Sequence, residues 1–470
     1  MNFASVQFLQ FLILVLGVYL LVRRSEYQNT LLLGASYYFY ASWDVRFLFL
    51  ILLITGASFI AGRAVGQTEN IRDRKIYLTT YIVFALVILG HFKYFNFFIE
   101  SAAILLTSLG VRVNAVHLGI VLPAAISFFI FESISYVMEI HRRHLPAATK
   151  LRHYALFIAY FPKLVAGPIE RPAVLIPQIQ QARQVTQDGL TRGAFLILLG
   201  LFKKIVVADG LAPTVDSVFN SATTPTPVEI IVAVYAFALQ IYCDFSGYTD
   251  IARGVSKLFG IELSQNFRFP YFSANPSEFW RRWHMSLSSW LRDYLYIPMG
   301  GNRSGPLRTK INLMVTMLLG GLWHGAAWNY ILWGAYQGAL LVAHGWSRPL
   351  GLVGWKARVT RVLATAIFFQ FACYGWLLFR ARSLGQIHDY TMQLLTGPYE
   401  LAANVARPPL AAMLGVVALC LYDFAAYRSG RATFYRDWPA PIRGGFYAAL
   451  LFLILMGLAN ARSAFIYFQF

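Results

Sequence analysis

The sequence predicts an all-α integral membrane protein, and three observations carry that prediction. Of 470 residues, 58% are hydrophobic and 13% charged, whereas about a quarter are charged in a soluble domain. Mean hydropathy is positive, at +0.54. Apolar runs recur from Phe8–Val22 to Gly445–Leu458, many reaching the roughly 20 residues that carry a helix across a hydrocarbon core. These runs predict about eleven transmembrane helices, together with re-entrant and interfacial helices, in a single integral membrane domain over residues 1–470. No hydrophilic stretch is long enough to predict a separate soluble domain.

The first run lacks a small-residue cleavage site and leads into further apolar runs, so it reads as a retained helix. Arg23–Arg24, Arg63 with Arg72–Lys75, and Arg142–Arg143 with Lys150 and Arg152 occupy alternate connections. The connections around Asp44–Arg46 and Glu100–Arg112 are poorer in charge. The positive-inside rule then places the N-terminus outside and explains the net charge of +19 as cytoplasmic loop charge, not a nucleic-acid-binding face. The three cysteines, Cys243, Cys373 and Cys420, lie far apart without metal-ligand spacing. They read as buried small hydrophobes.

Tyr154–Pro172 holds Pro162, Lys163, Gly167, Pro168, Glu170 and Arg171 within a short apolar run. That is more than a spanning helix tolerates, which predicts a re-entrant loop packed against protein. A helix at about Gly193–Ala208 leads to the external loop Gly210–Val228, and a span returns at Glu229–Cys243. Asp244–Lys310, dense in Arg, is then cytoplasmic; Asp244 and Asp250, at the helix end, are expected to pair with nearby Arg or to cap helices. Asn275–Arg303 opens on a cap-like Asn-Pro-Ser-Glu and sets Phe279, Trp283, Leu287, Trp290, Leu291 and Tyr294 at helical spacing. Two readings stand: an interfacial amphipathic helix, or such a helix that also floors a cytoplasmic cavity for an anionic ligand. Segment Ile311–Gly345 is one long helix or two short ones broken near Gly320–Gly321 and Gly325. The hairpin is preferred, because it keeps the basic clusters Arg348–Arg361 and Arg428–Arg443 inside.

That hairpin puts His324, in Gly320–Gly338 (GGLWHGAAWNYILWGAYQG), at membrane depth. Ionisable groups there are costly and usually face a cavity or a partner, although a neutral imidazole can also bridge two helices. No Ser, Asp or Cys beside His324 forms a triad pattern, and no second His follows at zinc-ligand spacing, so no metal site is expected. A lone His suits a general base for a hydroxyl.

The stretches "CDFSGYTDIARG" (Cys243–Gly254), "NFRFPYFSANPSEFWRRWHMSLSSWLRDYLYIPMGGNR" (Asn266–Arg303) and "GLWHGAAWNYILWG" (Gly321–Gly334), with "GPIERP" (Gly167–Pro172) and the ending "FIYFQF", resemble the membrane-bound O-acyltransferase family. The resemblance is to its bacterial branch of alginate and other polysaccharide O-acetylases. It implies a multi-helix fold with a funnel through the bacterial inner membrane, acetyl-CoA entering from the cytoplasm as acyl donor, and a hydroxyl acceptor on the other side. No permanently bound cofactor is implied. His324 matches the essential histidine of the family. His284 matches a second recurrent position, with helix packing as its alternative role.

Acyl transfer from a thioester also needs a donor to the developing oxyanion; Trp323, Trp328, Asn329 and Tyr330 are near His324 in sequence and unranked. Arg281, Arg282, Arg292 and Arg303, on the cytoplasmic side, suit the phosphates of coenzyme A, or lipid headgroups. The predicted outer loops, the longest Arg380–Arg407, are too small to hold a polysaccharide strand. A separate periplasmic or membrane-anchored acetyltransferase carrying its own serine is therefore expected, docking near Tyr399, Tyr467 and Phe470 and passing the group to an exopolysaccharide. D-alanyl transfer to a cell-envelope polymer, and a transporter with broken helices, remain as alternatives.

Overall fold

A computed structural model describes residues 1, 3–111, 117–165, 167–345, 354–400 and 405–460, and of residues 354, 355, 357 and 460 the backbone alone. Arg112, Arg348, Tyr467 and Phe470 lie outside the described residues. The chain is helical, with no strand among the described residues. Among the described residues, six helices are long and apolar enough to cross a membrane: Arg46–Gln67, Ile71–Ser108, Pro227–Leu258, Arg358–Arg380, Leu410–Ser429 and Ala440–Gly457. These do not confirm the count of about eleven, and several other apolar runs form shorter helices. Val6–Leu21 and Ile126–His141 have 16 residues each and Trp328–His344 has 17; at about 1.5 Å per residue these fall short of a roughly 30 Å core unless flanking residues help.

The chain divides into two compact units, Met1–Ala194 with Ala252–Ser264, and Phe195–Ile251 with Gln265–Phe470. In the first, Val6–Leu21 turns Phe8, Phe11, Leu12 and Val15 inward and leaves Val6, Leu9, Ile13 and Leu14 exposed, as a helix at a lipid boundary does. The suspected re-entrant stretch is irregular. Helix Leu151–Ala159 stops at Tyr160, a four-residue helix Phe161–Leu164 follows, and the described residues from Gly167 to Arg171 are not helical. Its polar groups are satisfied inside the protein, as backbone at membrane depth requires. The Phe161 amide donates to Ser36 Oγ at 3.0 Å, the Tyr160 hydroxyl meets Ser256 Oγ at 3.0 Å, and buried Lys163 pairs with Glu132. Glu132 also accepts from the Glu170 amide at 3.0 Å, and the Glu170 carboxylate accepts from the Ser264 amide at 2.6 Å.

In the second unit, the span expected at Glu229–Cys243 is part of one 32-residue helix, Pro227–Leu258. Asp244 and Asp250 therefore sit inside a helix, not at its end, and lysines are among their partners. Lys204 reaches Asp244 at 2.7 Å and Asp209 at 2.8 Å, and Lys203 reaches Asp250 at 2.7 Å. The two adjacent lysines both turn inward because Phe202–Ala208 is a π-helical segment, whose wider turn breaks the α-helical facing pattern. Cys243 and Cys373 are buried as expected, whereas Cys420 is exposed, on a helix long and apolar enough to face lipid. The presumed outer loop Arg380–Arg407 contains the helix Leu384–Thr396, held by Tyr390, whose hydroxyl donates to Val218 O at 2.7 Å.

Gly305–His324 and Trp328–His344 form the preferred hairpin. The close crossing follows from glycine: a Cβ at Gly321 would strike the Tyr330 carbonyl, and one at Gly334 the Met317 carbonyl. Asn275–Arg303 forms not one helix but three short pieces, Pro276–Trp280, Met285–Leu291 and the π-helical Arg292–Tyr296. Asn275 does cap the first, its side chain accepting from the Glu278 amide at 2.8 Å. Phe279, Trp283, Leu287, Trp290, Leu291 and Tyr294 are all buried within the protein.

Candidate active site

The break between the first two pieces is at His284, which has a φ of 41°. A non-glycine residue there is strained and is held in place by its surroundings. Asn266 supplies them: its carbonyl accepts from the Met285 amide at 2.9 Å and its Oδ1 from the Ser286 amide at 3.1 Å, while the Arg268 amide donates to Arg282 O at 2.9 Å. The turn aims the His284 imidazole inward, where it is fully buried.

His324 ends the first arm of the hairpin and is also buried. The two histidine rings, 40 residues apart in sequence, stand 6.3 Å apart between centroids. Aromatic rings surround them. Trp323, Trp333 and Phe379 meet His324 edge-on at 5.1, 5.1 and 5.4 Å, and Phe245 meets His284 edge-on at 4.6 Å. Among the described residues, neither nitrogen of His284 has a hydrogen-bond partner, nor do the indole nitrogens of Trp280 and Trp333. Trp333 is buried, and Trp280 lies 5.8 Å from it. Buried polar atoms are nearly always satisfied in folded proteins, so orphans clustered beside the two histidines mark a candidate position for a polar group. Burial pushes the His284 pKa down to about 3, which keeps the ring neutral.

Of the oxyanion candidates near His324 in sequence, Trp328 is exposed and the Asn329 side-chain amide already donates to Ala381 O at 2.9 Å. Tyr330 packs on Phe379, with centroids 5.0 Å apart. Trp323 and Trp333 both meet His324 edge-on at 5.1 Å, and Trp333 was missed in the sequence. The signal that marks it is helical spacing, since it lies about one turn beyond Asn329 and Tyr330 on the second arm of the hairpin.

The four arginines expected to meet the donor separate. Arg281 and Arg282 line a cavity of ≈ 680 Å³ with Arg268, Arg361 and Glu278. Arg282 and Arg361 both pair with Glu278, at 2.9 and 2.7 Å, and Arg282 also lies over the Tyr427 ring. Four guanidinium groups thus face one carboxylate, a balance that favours an anion. Met285, next to His284, lines the same cavity. Arg292 pairs instead with its neighbour Asp293 at 2.7 Å, and Arg303 is exposed away from this cavity. Arg268 and Arg361 were not anticipated, because their approach depends on the Asn266 turn and on a helix far along the chain.

The description of the membrane-bound O-acyltransferase family matches residues 36–384, a stretch that includes both histidines. The chain belongs to that family. A probable alginate O-acetylase of Azotobacter vinelandii is 42% identical over 386 residues, covering 82% of this chain and 76% of the relative. A probable alginate O-acetylase of Pseudomonas putida is 37% identical over the full length of both. A peptidoglycan O-acetyltransferase of Helicobacter pylori is 34% identical over 74% of this chain and 70% of its own. The chain is accordingly a multi-pass membrane O-acyltransferase.

Proposed function

We propose that this O-acyltransferase takes an acetyl group from cytoplasmic acetyl-CoA and passes it across a bacterial inner membrane for O-acetylation of an exported polysaccharide of the alginate or cellulose type. The observation that carries the reading is the buried pair His284–His324, ringed by orphaned N–H donors. His284 makes no hydrogen bond to His324, and the two ring centroids stand 6.3 Å apart.

In this reading His324 takes the proton of the acceptor hydroxyl as its oxygen attacks the thioester carbonyl. The Trp333 N–H stabilises the oxyanion, the carbon–sulfur bond breaks, and the proton returns to the departing thiolate. Neutral His284 orients the hydroxyl or the carbonyl. The arginine-lined cavity receives the coenzyme A phosphates, with Arg281, Arg282, Arg268 and Arg361 as donors. The acceptor is a periplasmic or membrane-anchored acetyltransferase with a nucleophilic serine, which delivers the group to the polymer. Exposed Tyr399 is a point for it to dock.

Radiolabelled acetyl-CoA supplied to purified protein in liposomes tests the reading. Transfer of label to a hydroxyl acceptor with release of free coenzyme A is expected. Solute flux without acyl turnover would replace it with a transporter, and transfer of D-alanyl but not acetyl would move the protein to the other acyl class.

A further inference from the structure

The basic residues at Arg63, Arg72–Lys75 and Arg142–Arg143 play no part in the chemistry above, and charge placement alone accounts for solvated cations only. Arg74 is not solvated: it is 4% exposed. Its Nη1 donates to the carbonyls of Val65 and Thr68 at 2.8 and 3.1 Å, and its Nη2 to those of Ile140 and His141 at 2.8 and 3.0 Å. It therefore ties together the ends of the Arg46–Gln67 and Ile126–His141 helices. Among the described residues its Nε has no partner and no carboxylate pairs with its charge.

This buried cation lines a cavity of ≈ 650 Å³ with Arg63, Arg143 and Glu69. Arg63 lies over the Phe59 ring and likewise pairs with no described carboxylate. Arg143 holds Glu69 at 3.1 Å across an exposed contact that solvent screens. It occupies the left-handed position that closes the Ile126–His141 helix, with φ 63°. The His144 amide donates to Glu139 O and the Arg143 amide to Ile140 O, both at 3.0 Å, a helix ending that ordinarily takes glycine. The positive end of the Ile71–Leu89 helix begins just before Arg74. Three guanidiniums thus face one loosely held carboxylate where two apolar candidate spans, Arg46–Gln67 and Ile71–Ser108, meet. In a bilayer the ends of spanning helices lie near the lipid phosphates, and basic pockets between helices there bind acidic headgroups. Ile60 and Ile71, both exposed, offer apolar surface beside it for an acyl chain.

We propose that this cavity is a phosphate-ester site, separate from the acyl-transfer pocket, in which Arg63, Arg74 and Arg143 hold the phosphate of an acidic phospholipid or of a soluble phosphate ester. Glu69 is displaced from Arg143, while Arg74, fixed to four helix-end carbonyls, supplies buried positive charge.

Purified full-length protein given equal phosphatidylglycerol and phosphatidylcholine, and read by native mass spectrometry, tests this. Wild type should retain phosphatidylglycerol preferentially. Arg63→Gln with Arg143→Gln, both at exposed positions that leave packing intact, should bind it on the order of 30-fold more weakly. Glu69→Gln should bind it more tightly. Glycerol 3-phosphate supplies the second arm: if it displaces the lipid from wild type and fails to act on the double variant, the site takes soluble esters, and if it does neither, the lipid is the ligand. Equal retention of the two lipids by wild type, or equal binding of both phosphate probes by wild type and the double variant, would overturn the proposal.

Discussion

At the residue scale, two imidazoles and one indole carry the proposed chemistry. His324→Ala should lower acetyl transfer on the order of 100- to 10,000-fold, the range of a lost general base, while membrane accumulation stays near wild type. Failure to accumulate would make His324 a packing residue. Trp333→Phe keeps the ring and removes the N–H, so a fall in kcat on the order of 100-fold is expected from loss of one oxyanion donor, with KM for acetyl-CoA little changed. For His284, burial lowers the pKa from 6.5 to about 3. Between those values the unfolded chain binds a proton that the folded chain does not. The contribution is therefore fully present above the unfolded value and is lost as pH falls toward the folded one. His284→Gln should flatten the decline in Tm measured from about pH 7 to about pH 5; an unchanged slope would mean that the ring is not held neutral. The same variant should retain partial activity, and a wild-type rate would remove His284 from the site.

At the scale of elements, two devices hold the second unit's histidines in place. One is the glycine-lined hairpin. Gly321→Ala would push its methyl into the Tyr330 carbonyl, so reduced activity and a lowered Tm are expected together. The other is the pair of buried lysines. Lys204→Met takes a buried cation away from two buried carboxylates, Asp244 and Asp209, at a cost of roughly 3–5 kcal/mol, and should accordingly destabilise the protein. Asp244 adjoins Phe245, whose ring backs His284, so the loss should reach the site. These devices were partly legible in the sequence. Glycine at Gly320, Gly321 and Gly325 marked the hairpin, and the crowding of Pro, Lys and Glu in Tyr154–Pro172 marked an irregular buried stretch. The lysine network was not legible, since two adjacent lysines face one way only in a π-helical segment, and no composition rule signals that. The Asn275–Arg303 segment has helical periodicity, yet the turn at His284 is imposed by Asn266 from outside it.

At the scale of the whole molecule, composition established the membrane and the all-helical class, and motif order pointed to the family that the relatives then showed. The arginine-lined cavity was only half visible: Arg281 and Arg282 were anticipated, Arg268 and Arg361 were not, and Arg292 and Arg303 stand elsewhere. Reversing the charge of Arg281 and Arg282 together should raise the KM for acetyl-CoA several-fold with little change in kcat, and added salt should weaken wild type in the same direction; unchanged kinetics would reduce them to surface contacts. The central claim is that the acetyl group crosses at His324. It is tested most directly by sealing labelled acetyl-CoA inside vesicles bearing the purified protein, with the serine-dependent partner and polysaccharide outside. Label should reach the outer polymer with wild type, and not with His324→Ala or without the partner. Equal labelling by wild type and His324→Ala, or labelling only when acetyl-CoA is added outside, would contradict the account.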